Sequence, residues 1–125
     1  MRFLIVDDSE ASQFMLGKFV ESMGHQVAAK AGNGEEAVAA YVANRPDAVI
    51  MDLIMPKMNG QEALRAIRTH DPGARVVMIS SMRSPQTALA CKEDGASYFL
   101  FKPVRLEEFR NVIEKLLEEI SPSPQ

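Results

Sequence analysis

Cysteine occurs once in this chain, at Cys91, and no apolar run comes near the ~20 residues that a membrane-spanning helix requires. An internal disulfide is therefore excluded, and membrane insertion is not expected. Cys91 falls in a helical pattern and reads as a small buried or half-buried thiol rather than a reactive one. The N-terminal residues lack the basic segment, apolar stretch and small-residue cleavage site of a secretory signal, since acids arrive already at Asp7 and Asp8. A cytoplasmic location is the expectation. Basic residues are outnumbered, 14 Lys and Arg against 17 Asp and Glu, and the net charge of -3 argues against direct nucleic-acid binding. The two histidines, His25 at a turn and His70 at a helix end, stand apart from the acidic positions and are expected to face solvent.

The 125 residues make one domain, long enough to bury a core without a disulfide or structural metal. That domain is expected to occupy residues 1–120, because Ser121-Pro122-Ser123-Pro124-Gln125 cannot pack and reads as a flexible tail or the start of a linker. Its centre is the stretch from Ala48 to Pro56. There Ala48-Val49-Ile50-Met51 is too short for a helix, carries β-branched residues, and delivers a single carboxylate, Asp52, at its end. Phe3-Leu4-Ile5-Val6 is a second such run and ends in Asp7-Asp8. Val76-Val77-Met78-Ile79 ends in Ser80-Ser81, and Tyr98-Phe99-Leu100-Phe101 ends in Lys102-Pro103. Gln26 to Lys30 is a shorter candidate strand.

Helical spacing separates these strands. Ser9 is set to cap a helix striped by Leu16, Phe19 and Val20 and stopped at Gly24, and Asn33-Gly34-Glu35-Glu36 has the pattern of a capping box. Ala63, Leu64 and Ile67 mark a third helix, and Phe109, Val112, Ile113 and Leu116 a strongly amphipathic fifth. The fourth, from about Ser84 to Asp94, has only a faint stripe of small residues around Ala88 and Cys91. Five strand-helix alternations imply a parallel sheet with right-handed crossovers, an α/β doubly wound sandwich of three layers. Ligands of such sheets bind beyond the carboxyl ends of the strands, and Asp7, Asp8, Asp52, Ser80 and Lys102 all fall there.

Carboxylates gathered in one crevice repel, by about 4 kcal/mol for a pair ~4 Å apart at an effective dielectric near 20. Such a cluster calls for a cation. Oxygen donors without His or Cys suit a hard ion, and Mg2+ fits best. A carboxylate beside a divalent ion and a lysine is equipped to attack a phosphoryl group, with Ser80 adding a hydroxyl.

On Ile5-Val6-Asp7-Asp8, Met51-Asp52, Met55-Pro56, Asn59-Gly60, Ser80, Asp94-Gly95-Ala96 and Lys102-Pro103, the chain resembles the receiver domains of two-component response regulators, of the single-domain CheY-like kind. The likeness runs from Arg2 to Ile120. It implies the flavodoxin-like strand order 2-1-3-4-5, for which CheY is itself a standard example, so the order is borrowed from the likeness and not read from the residues. It further implies that Asp52 accepts a phosphoryl group from a sensor histidine kinase or phosphotransfer protein, that Asp8 binds Mg2+ directly and Asp7 largely through water, and that the backbone carbonyl of Ile54 completes the ligand set. Lys102 would pair with the phosphoryl oxygens, ahead of a cis Lys102–Pro103 peptide. Ser80 and Phe99 would be the switch pair, and the face of the fourth helix, fifth strand and fifth helix would meet a downstream target protein. A phosphorylation-dependent homodimer is left open. Phe99 stands where the family commonly has Tyr, and Ser80 where Thr is commoner.

The eight methionines are expected mostly to fill core gaps; for Met55, Met58 and Met82, in loops around the site, an adaptable partner surface is left open as the alternative. Rival readings are weaker. A phosphatase working through an aspartyl phosphate needs a second acid two residues after the nucleophile, where this chain has Ile54. A flavin carrier would not place Asp7-Asp8 against a phosphate. A receiver-like module that is never phosphorylated would not need the acid, hydroxyl and lysine set. The expectation is a signalling domain that assists its own phosphorylation and dephosphorylation and is no enzyme toward an outside substrate.

Overall fold

A computed structural model describes residues 1–120; the expected tail at 121–125 lies outside the described residues. The elements are β1 (Arg2–Val6), α1 (Glu10–Ser22), β2 (Gln26–Ala31), α2 (Gly34–Asn44), β3 (Ala48–Asp52), α3 (Gly60–His70), β4 (Val76–Ser80), α4 (Pro85–Glu93), β5 (Tyr98–Phe101) and α5 (Leu106–Ile120). The five strands form one parallel sheet in the order β2-β1-β3-β4-β5, as the likeness implied.

Alternation along the strands divides the core into two layers, since successive side chains point to opposite faces. Leu4, Val6, Val49, Met51, Val76 and Met78 pack with Ala37, Tyr41, Leu64 and Ile67 of α2 and α3. Phe3, Ile5, Ile50, Val77 and Ile79 pack with Leu16 and Val20 of α1 and with Phe109, Ile113 and Leu116 of α5. Being covered on both sides, β3 and β4 are buried at every residue, which is why their sequences are continuous apolar runs.

Each crossover helix begins on a side-chain cap. Ser9 accepts the Ser12 amide, and Ser84 that of Thr87. The expected box at Asn33 is only half made: Asn33 accepts the Glu36 amide, but the Glu36 carboxylate reaches the Gly32 amide instead of that of Asn33. A complete box forms at Asn59 and Glu62, at the start of α3. Helix α4 is the thinly packed one. Cys91 is its single buried residue, Leu89 is 58% exposed, and its firmest polar tether is at the C-terminal end, where Asp94 accepts from Gln61 (2.8 Å) and Arg65 (3.1 Å) of α3.

The solvent-facing expectation for His25 and the alternative of a surface role for Met55 are also corrected. His25 is half-buried, because the turn after α1 lays its ring 5.5 Å from that of Phe3. Met55 belongs to the core, tucked under its loop among the α2–α3 contacts, so it offers no outer surface; Met82 is 45% exposed and Met58 half-buried.

The uneven packing predicts uneven responses to truncation. In urea denaturation, Phe109→Ala should lose about 3–5 kcal/mol, as expected for a large aromatic emptied from a closed core, whereas Leu89→Ala on α4 should stay within about 0.5 kcal/mol.

Candidate functional site

The site stands at the carboxyl edge of the three middle strands and β5. Asp7 follows β1 and is fixed at several points. Its amide bonds the Ala31 carbonyl at 3.0 Å, its own carbonyl accepts the Gln13 side-chain amide at 2.7 Å, and Oδ1 accepts the Ser9 amide at 2.9 Å. The remaining oxygen, Oδ2, lies 3.0 Å from Lys102 Nζ. Asp7 is 1% exposed, while neighbouring Asp8 is open to solvent.

Asp52 closes β3 and is 6% exposed. Directly beyond it, the chain doubles back so tightly that Gly60 donates to the Leu53 carbonyl at 2.8 Å. A Cβ at residue 60 would collide with the Asp52 carbonyl oxygen. This close approach accounts for the glycine at the first residue of α3. One oxygen from each of Asp7, Asp8 and Asp52 lies within 4.8 Å of the others.

Lys102 enters from the end of β5, where its amide donates to the Ser80 carbonyl at 2.8 Å and the Lys102–Pro103 peptide is cis. Its ammonium stands 3.0 Å from Asp7 and 3.6 Å from Asp52. Burial works against that charge, but the bonds and charges of Asp7 and Asp52 outweigh it and raise the lysine pKa. For Asp52 the balance runs the other way. Burial, then the charge of Asp7, with a smaller push from Asp8, lift its carboxyl from the ordinary 3.8 to about 6 against the pull of Lys102.

Ser80 is fully buried at the end of β4, and its Oγ accepts the Met82 amide at 2.9 Å. Phe99 on β5 is half-buried, its ring 5.3 Å from that of Phe101, over which the Arg83 guanidinium lies at 4.9 Å. Ile54, two residues beyond Asp52, is 52% exposed. The structure thus gathers Asp7, Asp8, Asp52 and Lys102, places Ser80 on the adjoining strand end, and leaves Phe99 behind on β5. Gln13 and the Asn59–Glu62 box were not anticipated. The box was readable as an Asn followed three residues later by Glu, whereas nothing in the spacing of Gln13 announces a bond to the Asp7 carbonyl.

Residues 3–114 match the model of the response regulator receiver domain family. The chain belongs to that family. It is 38% identical to the chemotaxis protein CheY of Thermotoga maritima, over 91% of this chain and 98% of that protein, and 36% identical to CheY of Bacillus subtilis, over 93% and 97%. Among solved structures, the CheX-CheY-BeF3-Mg2+ complex of Borrelia burgdorferi superposes with a TM-score of 0.92 at 34% identity, covering 94% of this chain and 89% of that one. This receiver therefore has the CheY-like fold, and its acidic pocket of Asp7, Asp8 and Asp52 accords with Mg2+ and phosphorylation. Three oxygen-only donors at this separation suit a small hard cation. Among the described residues no helix is long and apolar enough to cross a membrane.

The raised Asp52 pKa has a measurable sign. The folded state holds the proton more tightly than the unfolded chain, so without metal the receiver should lose stability as pH rises from about 4 to about 6, by about 3 kcal/mol in the limit. Asp52→Asn removes the buried charge. In EDTA at pH 7.5 its thermal midpoint should exceed the wild type's by several degrees, and the gap should close near pH 4; a wild-type advantage at pH 7.5 would contradict the electrostatic account.

Proposed function

We propose that this chain is a phosphoacceptor in a two-component phosphorelay, with Asp52 taking a phosphoryl group from the phosphohistidine of a sensor kinase or phosphotransfer protein. The P–N bond to the donor imidazole breaks as a P–O bond to an Asp52 carboxylate oxygen forms, and the electron pair leaves with the histidine. The observation that carries this reading is the gathering of three carboxylate oxygens within 4.8 Å, with Lys102 Nζ 3.6 Å from the acceptor carboxylate. Asp7, Asp8, Asp52 and the backbone carbonyl of Ile54 would hold Mg2+. When bound, the ion supplies positive charge to the carboxylates and to the incoming phosphoryl oxygens.

The chain's own residues do the rest. Lys102, released in part from Asp7, offers its ammonium to a phosphoryl oxygen. Ser80 turns its hydroxyl inward to donate to another, a motion easier for serine than for the β-branched threonine. In doing so it gives up the bond it now accepts from the Met82 amide, which frees the loop running into the Ser84 cap of α4. Phe99 moves inward into the space vacated, and the α4-β5-α5 face changes toward a target protein. Having no hydroxyl, Phe99 presents only a ring to that partner.

The complex of the Borrelia relative with CheX, BeF3 and Mg2+ supports both the metal and the existence of a protein partner. The site is not that of a phosphatase acting on outside substrates, since the residue two beyond Asp52 is the exposed, apolar Ile54, which has no proton to give. The protein acts in the cytoplasm and does not itself bind nucleic acid.

Intact-mass analysis after incubation with acetyl phosphate and Mg2+ should show the gain of one phosphoryl group in the wild type and none in Asp52→Ala; equal gain in both would remove Asp52 from the role. The acyl phosphate should also be long-lived. Ile54, two residues beyond the acceptor, and Met82, two beyond Ser80, are exposed apolar side chains and cannot orient an attacking water. Phosphorylated protein held in Mg2+ should persist for minutes or longer, and decay within seconds would show that water is positioned by other groups.

A further inference from the structure

The loop between β2 and α2 contributes no side chain to the acidic pocket, yet it is joined to the loop that follows Asp52. Gly34, the first residue of α2, is buried and donates its amide to the Met58 carbonyl at 2.8 Å. A Cβ at residue 34 would collide with that carbonyl oxygen and would stand 2.7 Å from both the carbonyl carbon and the Cβ of Met58. Its φ is not positive, so space and not backbone conformation demands a glycine here. Gly32, two residues earlier, is a contrast: a Cβ there would meet only Glu36 Oε1, at an ordinary 3.6 Å.

The segment so clamped is short. It leaves β3 with Leu53, whose amide bonds the Ile79 carbonyl at 2.8 Å, and it ends at Gly60, bonded back to Leu53. Leu53 and Met55 are buried, and Lys57 turns the chain through a left-handed φ of 62°. With both ends fixed and two side chains anchored inside, Gly34 against Met58 is the outer stop. A methyl group at residue 34 must drive the Met58 carbonyl outward by roughly 1 Å to regain van der Waals separation. The displacement cannot pass beyond Leu53 or Gly60, so it falls on Ile54 to Lys57.

Resting on the Mg2+-dependent phosphoacceptor reading above, we propose that Gly34 is a positioning residue for the metal site, its backbone pressing the Leu53–Asn59 loop into the place where the Ile54 carbonyl would serve as a ligand beside the three carboxylates. Gly34 touches neither metal nor phosphoryl group. It acts through the loop, and metal affinity should therefore depend on a residue that offers no donor of its own.

The test is an Mg2+ titration of 15N-labelled wild type, Gly34→Ala and Gly32→Ala, followed by amide shifts, with thermal midpoints measured in EDTA. Wild type and Gly32→Ala should bind alike, and Gly34→Ala about tenfold more weakly, the size of loss seen when groups that support a ligand are disturbed. A purely structural role would lower the midpoint of Gly34→Ala and leave its Mg2+ dissociation constant unchanged, which overturns the proposal while the phosphoacceptor reading stands. Failure of the wild type to bind Mg2+ would remove that reading and the proposal together. Should Gly34→Ala not fold, hydrogen exchange in the wild type decides: the Gly34 amide should exchange several-fold more slowly in Mg2+ than in EDTA, and equal rates would defeat the proposal.

Discussion

A single ammonium group faces three carboxylates at the mouth of the sheet, and the inequality of that contest shapes the molecule. Lys102 lies nearer Asp7, whose other oxygen is already occupied by the Ser9 amide, and it reaches Asp52 only at 3.6 Å. Asp52 is thus left buried, close to two like charges and under-compensated, which is why its proton is held so tightly. A pocket in this condition favours any added positive charge. It is also one in which a newly attached anionic group competes with Asp7 for the same lysine, so that arrival of the group reorganises contacts already made.

The sheet makes this arrangement affordable in structural terms by burying β3 and β4 on both faces, so that strand ends are held rigidly while the loops beyond them differ in freedom. The loop after Asp52 is closed by two glycine contacts and two buried side chains. The loop after Ser80 has exposed Ser81, Met82 and Arg83, and one bond at its start, donated by the Met82 amide to the Ser80 hydroxyl oxygen. Rigidity on one side of the site and looseness on the other suit a device that must keep its ligands in place and still transmit an event.

Much of this was legible in the residues. Continuous apolar runs ending in polar groups located four strands and the edge they share, because doubly covered strands leave no polar alternation and the chain must become polar where it leaves the sheet. The charged site followed from Asp7, Asp8, Asp52 and Lys102 on the same grounds. Strand order did not follow, since pairing depends on crossovers whose direction no local pattern records; it came from family likeness. The places misread were those where tertiary contact overrides local chemistry. Glu36 had the spacing to complete a capping box, but the Gly32 amide stood closer; Met55 had the composition of a loop residue, but the loop folds its side chain under; His25 meets Phe3 across a turn that sequence separation hides. Gly34 sat in a capping pattern and Gly60 in a motif of the family likeness, and only the approach of another backbone shows why no larger residue fits.

Helix α4 is fastened unevenly, by Asp94 to Gln61 and Arg65 at one end and by little more than the Ser84 cap at the other. A rod held so is hindered from sliding along the sheet as a unit and freer to swing about its far end. At nine residues it is about 13 Å long, so that a tilt of about 15° carries its near end roughly 3 Å while the far end scarcely stirs. With lever geometry of this kind, a small change at the Ser84 end would become a larger displacement of that end than of the Asp94 end.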